Sequence, residues 1–204
     1  MVAGRRGADL GRHARDVAPA LLGAVLTSRV DGHEVSVRLT EVEAYGGVGE
    51  DPGSHAYRRC TPRNATMFGP PGHAYVYFTY GMHWCLNVVT EGEGTAGAVL
   101  LRAGEVIAGV GTARARRPTA RADRDLARGP ARLTSALGVT GALDGVDLLA
   151  PGSPLRLRLA SSTPSAVLIT ARTGVSGPGA ATLWRFHLPD EPSVSPYRPA
   201  APRP

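Results

Sequence analysis

Residues 75–87, YVYFTYGMHWCLN, decide the fold, because they predict a β-hairpin with a tight and bulky tip. Residues 73–79 and 84–90 are rich in aromatic and β-branched side chains and favour two strands. The tip between them is formed by residues 80–83, YGMH. Aromatic stripes of this kind usually pack a β-sheet core, and that interpretation stays open for the strands.

The tip is the part of the hairpin that core packing explains least. Three of the six tyrosines in the chain lie within residues 75–80, and a core seldom needs that many hydroxyl groups. The sequence Tyr80-Gly81-Met82 also places apolar bulk on a solvent-facing turn. A bulky side chain at the end of a hairpin is suited to enter the minor groove of DNA and replace a base in the stack.

The strand before the hairpin ends in two carboxylates. Residues 34–43 alternate between apolar and polar side chains, which predicts a half-buried strand. Glu41 and Glu43 continue the parity of Val35, Val37 and Leu39, so we expect both carboxylates to point inward. A surface carboxylate at a strand end is the ordinary interpretation. A partly buried Glu43 would instead have a raised pKa and could act as a general base for water.

The remaining segments predict a mixture of helices and strands. Asp16 is the expected N-cap of a short helix that reaches Leu22, and residues 105–117 and 130–137 also favour helices. Residues 46–64 have little periodicity and predict a long, functional loop. Further strands are predicted at residues 23–29, 98–103, 155–159, 167–171 and 183–188.

The predicted fold is therefore α+β, a single mixed domain with a curved antiparallel sheet and a protruding β-hairpin. A chain of 204 residues with 43% hydrophobic residues is long and apolar enough for one such domain. We place the domain at residues 17–195, with flexible segments at residues 1–16 and 196–204.

The charge balance favours a polyanionic partner. The formal net charge is +6, and all 23 basic residues are arginine. Codon bias in a GC-rich genome explains the missing lysine, which also removes the side-chain amine that a Schiff base with a sugar aldehyde needs. Arg117, Arg121, Arg124 and Arg128 recur at helical spacing, but Pro118 favours a solvated basic segment over a phosphate clamp.

Several classes of protein and site are disfavoured. No apolar run reaches the roughly 18–20 residues of a membrane span, and residues 1–6 lack the apolar core of a signal peptide. Cys60 and Cys85 are too few for a disulfide framework and indicate a reducing compartment. The six histidines have no partner at metal-ligand spacing, so no metal site is predicted. A phosphate-binding glycine motif is missing, so no cofactor is expected.

The chain resembles the alkyladenine (3-methyladenine) DNA glycosylases of the mammalian type, a family that also occurs in bacteria. The resemblance spans roughly residues 17–195. The motifs that carry it are Glu43-Ala44-Tyr45, His55, Thr61-Pro62-Arg63-Asn64, Met67-Phe68, Tyr75-Val76-Tyr77, Tyr80-Gly81-Met82, Cys85, Asn87 and Leu100-Leu101-Arg102-Ala103, with weaker support from Gly129-Pro130 and residues 171–175.

The resemblance implies a monofunctional hydrolase without lyase activity. It would flip damaged, alkylated or deaminated purines out of duplex DNA and hydrolyse the N-glycosidic bond, leaving an abasic site. Glu43 is then the general base, Arg102 helps to hold the attacking water, and the main-chain carbonyl of Thr173 provides a third contact to that water. Tyr80 is pushed into the gap that the base leaves.

The resemblance also implies how the base is held. Tyr45, His55 and Tyr77 would sandwich the flipped purine, and the backbone N–H of His55 would recognise its edge. Asn87 would disfavour the exocyclic amine of guanine. Further contacts to DNA are implied for Met82, His83, Arg59, Thr61, Arg63, Met67 and Arg132.

These implications define the expected partner and location. We expect a monomer that binds double-stranded DNA with a damaged purine, with no membrane partner, in the bacterial cytoplasm and associated with the nucleoid. A non-catalytic binder of distorted DNA is the alternative, because a wedge, a pocket and a basic surface would suffice for binding. Glu43 and Arg102 argue against that alternative, since a binder needs neither.

Overall fold

One curled antiparallel sheet organises the chain in the computed structural model, which describes residues 9–200. Within that part, eight strands pair in the order β3-β4-β5-β2-β1-β6, and β8 pairs with both β2 and β7. The strands are β1 Val25–Val30, β2 His33–Tyr45, β3 Ala74–Thr79, β4 His83–Val89, β5 Ala98–Ala108, β6 Leu155–Arg158, β7 Leu168–Thr170 and β8 Arg185–His187. The helices are α1 Ala14–Leu21, α2 Val110–Arg116 and α3 Pro130–Leu137. The predicted α+β class with a curved sheet is confirmed.

Strand β2 is the centre of the sheet, and one of its edges is shared between two partners. Residues 33–38 of β2 pair with β1, whereas residues 41–43 pair with β8. The other edge pairs with β5 along nearly the whole strand. The change of partner falls at Leu39 and Thr40, where the pairing with β5 is also irregular.

A β-bulge at this point turns the carboxylates away from the apolar core. Leu39, Val42 and Ala44 all belong to the main hydrophobic core, although Leu39 and Val42 are three residues apart. Strict alternation cannot place both on one face, so an extra residue is accommodated between them. The expectation that Glu41 and Glu43 continue the core-facing row is therefore wrong. Both are fully buried, but on the opposite face of the sheet.

The helices cover the core-facing side of the sheet. Helix α1 packs against β2 and β5, and α3 packs against β4 and β5. Helix α3 begins with Pro130 at its first turn and ends at Gly138 in a left-handed conformation, as its sequence predicts. The opposite face carries a smaller apolar cluster that includes Met67, Tyr75 and Val89.

Other sequence expectations need correction. The predicted helix over residues 105–117 is wrong in its first part, because β5 continues to Ala108 and α2 begins only at Val110. Asp16 lies inside α1, and the helix is capped by His13, whose ring nitrogen accepts from the Arg15 N–H. The predicted loop at residues 46–64 contains neither strand nor helix.

The predicted terminal segments lie partly beyond the part of the chain that is described. Residues 1–8 and 201–204 are outside it, so the boundaries at residues 16 and 196 stay predictions. Across residues 9–200, none of the helices combines the length and the apolar character that crossing a bilayer demands.

Gly104 allows β2 and β5 to approach closely beside the bulge, so we predict that Gly104→Ala is destabilising. Gly104 pairs with Leu39, and a Cβ at this position would lie 2.4 Å from the Arg38 carbonyl oxygen. We expect the free energy of unfolding in urea to fall by about 1–3 kcal/mol. Gly111→Ala is the matched control, because a Cβ there meets no atom within 4 Å and alanine favours helix. Equal stability of the two variants would contradict the close approach.

Candidate active site

A pocket of about 490 Å³ opens on the face of the sheet opposite the main core. Its walls come from the hairpin β3–β4, from residues 52–55 of the long loop, from β5 and from residues 173–176. These segments are far apart in the sequence, so the pocket exists only in the folded chain.

The carboxylate of Glu43 is fully buried, and three residues that line the pocket hold it by hydrogen bonds. One oxygen, Oε1, accepts a hydrogen bond from the backbone N–H of Thr173 at 2.6 Å. The other, Oε2, accepts from the hydroxyl of Tyr45 at 2.9 Å and from Nη1 of Arg102 at 3.1 Å. Burial raises the pKa of Glu43, and the nearby Arg102 and the Thr173 N–H only partly oppose that rise.

Arg102 bridges the two carboxylates of β2. Its Nε donates to Oε1 of Glu41 at 2.7 Å, while its Nη1 reaches Glu43. Glu41 also accepts from Nε of Arg185 at 2.7 Å and from the backbone N–H of Ser195 at 2.7 Å. All four charged side chains are at most 6% exposed, so two carboxylates and two guanidinium groups share one buried network.

The two carboxylates differ in proton affinity although they are two residues apart. Burial alone would raise the pKa of Glu41, but Arg102 and Arg185 outweigh it and lower that pKa. Glu43 touches only one arginine, and its pKa is raised. The pKa of Arg102 is itself raised by the two carboxylates despite its burial, so this guanidinium stays charged.

Three rings form the walls of the pocket. His55 and Tyr77 meet edge to face, with ring centroids 4.6 Å apart and an interplanar angle of 74°. The Nδ1 atom of His55 lies 3.1 Å from the hydroxyl oxygen of Tyr75. Partial burial and the charge of Arg63 lower the pKa of His55, which favours a neutral imidazole. Tyr45, a wall residue from the end of β2, is half-buried.

A buried ion pair braces the ring of Tyr45 from behind. The guanidinium of Arg172 lies 4.7 Å from the centroid of the Tyr45 ring and 5.4 Å from that of Trp184. Its Nη2 donates to Oδ1 of Asp51 at 2.7 Å, and its Nη1 donates to the Ala44 carbonyl at 3.0 Å. The pair ties the long loop to the segment that carries Thr173.

The hairpin tip stands beside the pocket mouth and is highly exposed. Tyr80 is 82% exposed and Met82 is 66% exposed, and Tyr80 also lines the pocket. Tyr80 and Gly81 have φ values of 52° and 65°, the left-handed turn that suits a tight hairpin. A bulky residue such as tyrosine seldom adopts this conformation. Backbone strain of this kind often occurs at functional sites.

The loop and hairpin segment that contributes to this mouth carries only positive charge. The 39 residues from Pro52 to Thr90, which include the hairpin, contain neither aspartate nor glutamate. They contain three arginines, Arg58, Arg59 and Arg63, all of which are exposed. Arg63 also donates to the Phe78 carbonyl at 3.2 Å and so attaches the loop to the hairpin.

The sequence has close relatives over nearly its whole length. A family model described as methylpurine-DNA glycosylase matches residues 8–192. The chain belongs to the methylpurine-DNA glycosylase family. The resemblance found in the sequence motifs is confirmed.

Individual relatives support the same assignment. A protein of Streptomyces avermitilis is 56% identical over 194 residues, which cover 94% of this chain and 91% of the relative. A protein of Leifsonia xyli is 55% identical, over 90% of this chain and 87% of the relative. A protein of Nocardia farcinica is also 55% identical, over 91% of this chain and 88% of the relative. All three carry the provisional name 3-methyladenine DNA glycosylase.

The fold of this methylpurine-DNA glycosylase family member brings most of the predicted site residues together. The pocket lining includes Tyr45, His55, Met67, Tyr77, Tyr80, Asn87, Arg102 and Thr173, and Glu43 is hydrogen-bonded to three of them. Arg59, Thr61, Arg63, Met82, His83 and Arg132 lie outside the lining, and all except the partly buried Thr61 are exposed.

Some of these residues are placed differently from the simplest expectation. Met67 is only 2% exposed and packs in the small apolar cluster, so it supports the pocket wall from within. Thr173 contacts Glu43 through its backbone N–H, whereas the resemblance implies a role for its carbonyl. Asn87 is buried, and its side-chain amide donates to the Tyr75 carbonyl at 2.9 Å.

Sequence reasoning missed the residues that support the site. The parity of β2 predicts the same orientation for Glu41 as for Glu43 but no role, although Glu41 anchors Arg102. Asp51, Arg172, Arg185 and Ser195 carry no local signal, because their partners are distant in the sequence. Among residues 9–200, no three histidine, cysteine, aspartate or glutamate side chains are grouped as a metal site would require.

We predict that Asp51→Ala lowers the free energy of unfolding by about 3–5 kcal/mol, because it leaves Arg172 buried without its counter-ion. Urea denaturation measures the loss. Glu34→Ala is the control, since it breaks an exposed pair with Arg29 and should cost less than about 1 kcal/mol. Similar losses in both variants would show that the buried pair does not brace the loops.

Proposed function

We propose that this chain is a DNA repair glycosylase that removes damaged purines from duplex DNA and leaves an abasic site. The observation that carries the proposal is the buried carboxylate of Glu43, with a raised pKa, hydrogen-bonded to residues that line a pocket walled by aromatic rings. Family membership and the provisional names of the relatives point to the same reaction.

The pocket chemistry suits an alkylated purine. Alkylation on a ring nitrogen makes the purine a cation, and a cation over the face of an aromatic ring gains about 0.5–2 kcal/mol per contact. Tyr45, His55 and Tyr77 supply the rings. Because the pKa of His55 is lowered, its ring is neutral over more of the working pH range and does not repel such a base.

Hydrolysis needs an activated water and a leaving base. In the proposed reaction Glu43 takes a proton from water, the water oxygen bonds to C1′ of the sugar, and the C1′–N bond breaks. The electron pair of that bond neutralises the alkylated purine, which leaves without needing an acid. Arg102 and the carbonyl of Thr173 are proposed to orient the water, and the Glu43 carboxylate also stabilises the cationic sugar.

The hairpin tip is proposed to hold the DNA open. Extrusion of a base costs a few kcal/mol, and less when the base is damaged and badly paired. Tyr80 is exposed, aromatic and fixed beside the pocket mouth, so it can fill the space that the base leaves. Met82 and His83 extend the same surface, where they would contact the minor groove.

The arginines around the mouth are proposed to bind the phosphate backbone. Arg59 and Arg63 lie in the segment that has no acidic residue, and Arg132 is exposed on α3. Phosphate neutralisation supplies much of the affinity of such proteins for DNA. Because the chain has no lysine, it has no side-chain amine for a Schiff base with the abasic site, and we propose a hydrolase without lyase activity.

We predict that Glu43→Gln slows base release at least about 100-fold, because a general base contributes about 10²–10⁴-fold. Single-turnover release is measured on duplexes that each carry one 7-methylguanine, hypoxanthine or ethenoadenine. Glu34→Gln, an exposed glutamate of the same strand, is the matched control and should react at the native rate. Glu43→Gln should still bind lesion duplexes. A native release rate in Glu43→Gln would refute the mechanism.

We predict that Tyr80→Ser weakens binding to a lesion duplex, because stacking of an aromatic ring against bases contributes about 1–3 kcal/mol. That energy corresponds to a loss of affinity between about fivefold and about 150-fold. Fluorescence anisotropy measures it, with Tyr197→Ser as the control, since Tyr197 is exposed but does not line the pocket. Unchanged affinity of Tyr80→Ser would remove the wedge from the proposal.

A further inference from the structure

We propose that Glu41 is a positioning residue that, balanced by Arg185, sets the pH at which Glu43 becomes a base. The proposal rests on the proposed role of Glu43 as general base and extends it to a buried pair that does not touch the pocket. Neither residue lines the cavity, so each must act on the reaction through its charge or through the shared Arg102.

Arg102 makes a shorter hydrogen bond to Glu41 than to Glu43. Both carboxylates lie on one face of β2, and the guanidinium lies between them. Its Nε is 2.7 Å from Glu41, whereas its Nη1 is 3.1 Å from Glu43. The contact with Glu41 fixes the orientation of the guanidinium and divides its positive charge between two carboxylates.

Arg185 limits how strongly Glu41 attracts Arg102. It donates from Nε to the same Oε1 atom of Glu41, and from Nη2 to the Ser195 carbonyl at 2.8 Å. None of its hydrogen bonds reaches Glu43 among the residues that are described. Arg185 therefore neutralises Glu41 without competing for the catalytic carboxylate.

Because Glu41 and Arg185 carry opposite charges, their removal is expected to shift the pKa of Glu43 in opposite directions. Solvent screens these groups weakly because all are buried, so removal of one charge is felt at Glu43. Without the charge of Glu41, Arg102 serves Glu43 alone, and the pKa of Glu43 falls. Without the charge of Arg185, Glu41 is uncompensated and holds Arg102 more strongly, so the pKa of Glu43 rises further.

The other groups around Glu43 do not mask this effect. Burial raises the pKa values of Tyr45, Tyr77 and Cys85, so these side chains stay neutral at the pH values of the assay. Arg172, which faces Glu43 from the segment beside Thr173, stays charged because Asp51 offsets its burial and raises its pKa. Glu43 is thus the group in this cluster that titrates on the acid limb.

The test is the pH profile of single-turnover release of 7-methylguanine from a duplex, corrected for spontaneous depurination. This base leaves without protonation, and protonation of His55 in the pocket wall is common to the native protein and all variants, so the difference in the acid limb between them reports the base catalyst. In Glu41→Gln the limb is expected to move to lower pH, while the plateau rate falls because Arg102 is less well oriented. In Arg185→Gln the limb is expected to move to higher pH. Arg185→Lys, which restores the charge, should return the limb toward the native position.

Controls separate charge from packing. Ser195→Ala removes a hydroxyl that donates to Glu41 at 2.9 Å and accepts from Arg102 at 3.5 Å, without changing any charge, so its limb should stay close to that of the native protein. Melting temperatures establish that each variant is folded. A ¹³C NMR titration of the glutamate carboxylates in DNA-free protein reads the pKa of Glu43 without any activity, and Glu43→Gln assigns its resonance.

Two outcomes would overturn the proposal. The first is a shift in the same direction for Glu41→Gln and Arg185→Gln, which a purely structural role would give. The second is an unshifted limb in whichever of these variants is folded. If the native protein releases no base, the proposed function fails, and the NMR titration still decides whether Glu41 and Arg185 move the pKa of Glu43 in opposite directions.

Discussion

The β-bulge after Leu39 is the constraint on which the pocket depends. Strand β2 must give apolar side chains to the core along its whole length and two carboxylates to the other face at its end. A regular strand could not meet both requirements. If Leu39 faced the core, Glu41 and Glu43 would face it too, and Val42 and Ala44 would lie on the opposite face. The extra residue resolves that conflict, and Gly104 on β5 leaves room for it.

Once the carboxylates share a face, the neighbouring strands determine their partners. Strand β5 brings Arg102 from one side, and β8 brings Arg185 from the other, because β8 pairs with β2 just at residues 41–43. Burying four charges is costly, and such networks are weak evidence for stability. In the proposed mechanism their value is functional, because they hold a carboxylate of raised pKa in one position without giving it a full counter-ion.

Local signals explain what the sequence could predict. The hairpin, the long loop and α3 were predicted because alternation, turn residues and the pair Pro130 and Gly138 act over a few positions. The helix over residues 105–117 was wrong in part because β5 runs on to a left-handed Gly109, which the helical pattern concealed. The bulge was missed because a period of two carries no sign of an inserted residue.

The residues of the site also separate into those that local sequence signals predict and those that they do not. Glu43 and Tyr80 could be singled out from local pattern, and the family motifs supplied the aromatic walls and Arg102. The groups behind them could not be found, because Arg172 meets Asp51 across 121 positions and Ser195 meets Glu41 across 154. No short window of sequence contains both partners of such a pair.

This separation has a consequence for the newly made protein. A ribosome adds about 5–20 residues per second, so the strands up to β5 emerge well before Thr173 and Ser195. Until those residues have folded back onto β2, Glu43 lacks the backbone N–H of Thr173, and Glu41 lacks both hydrogen bonds from Ser195. The loop arginines and the hairpin are therefore made before the carboxylates are organised. If the proposed function holds, an unfinished chain carries the surface that binds DNA but not the arrangement that hydrolyses the glycosidic bond.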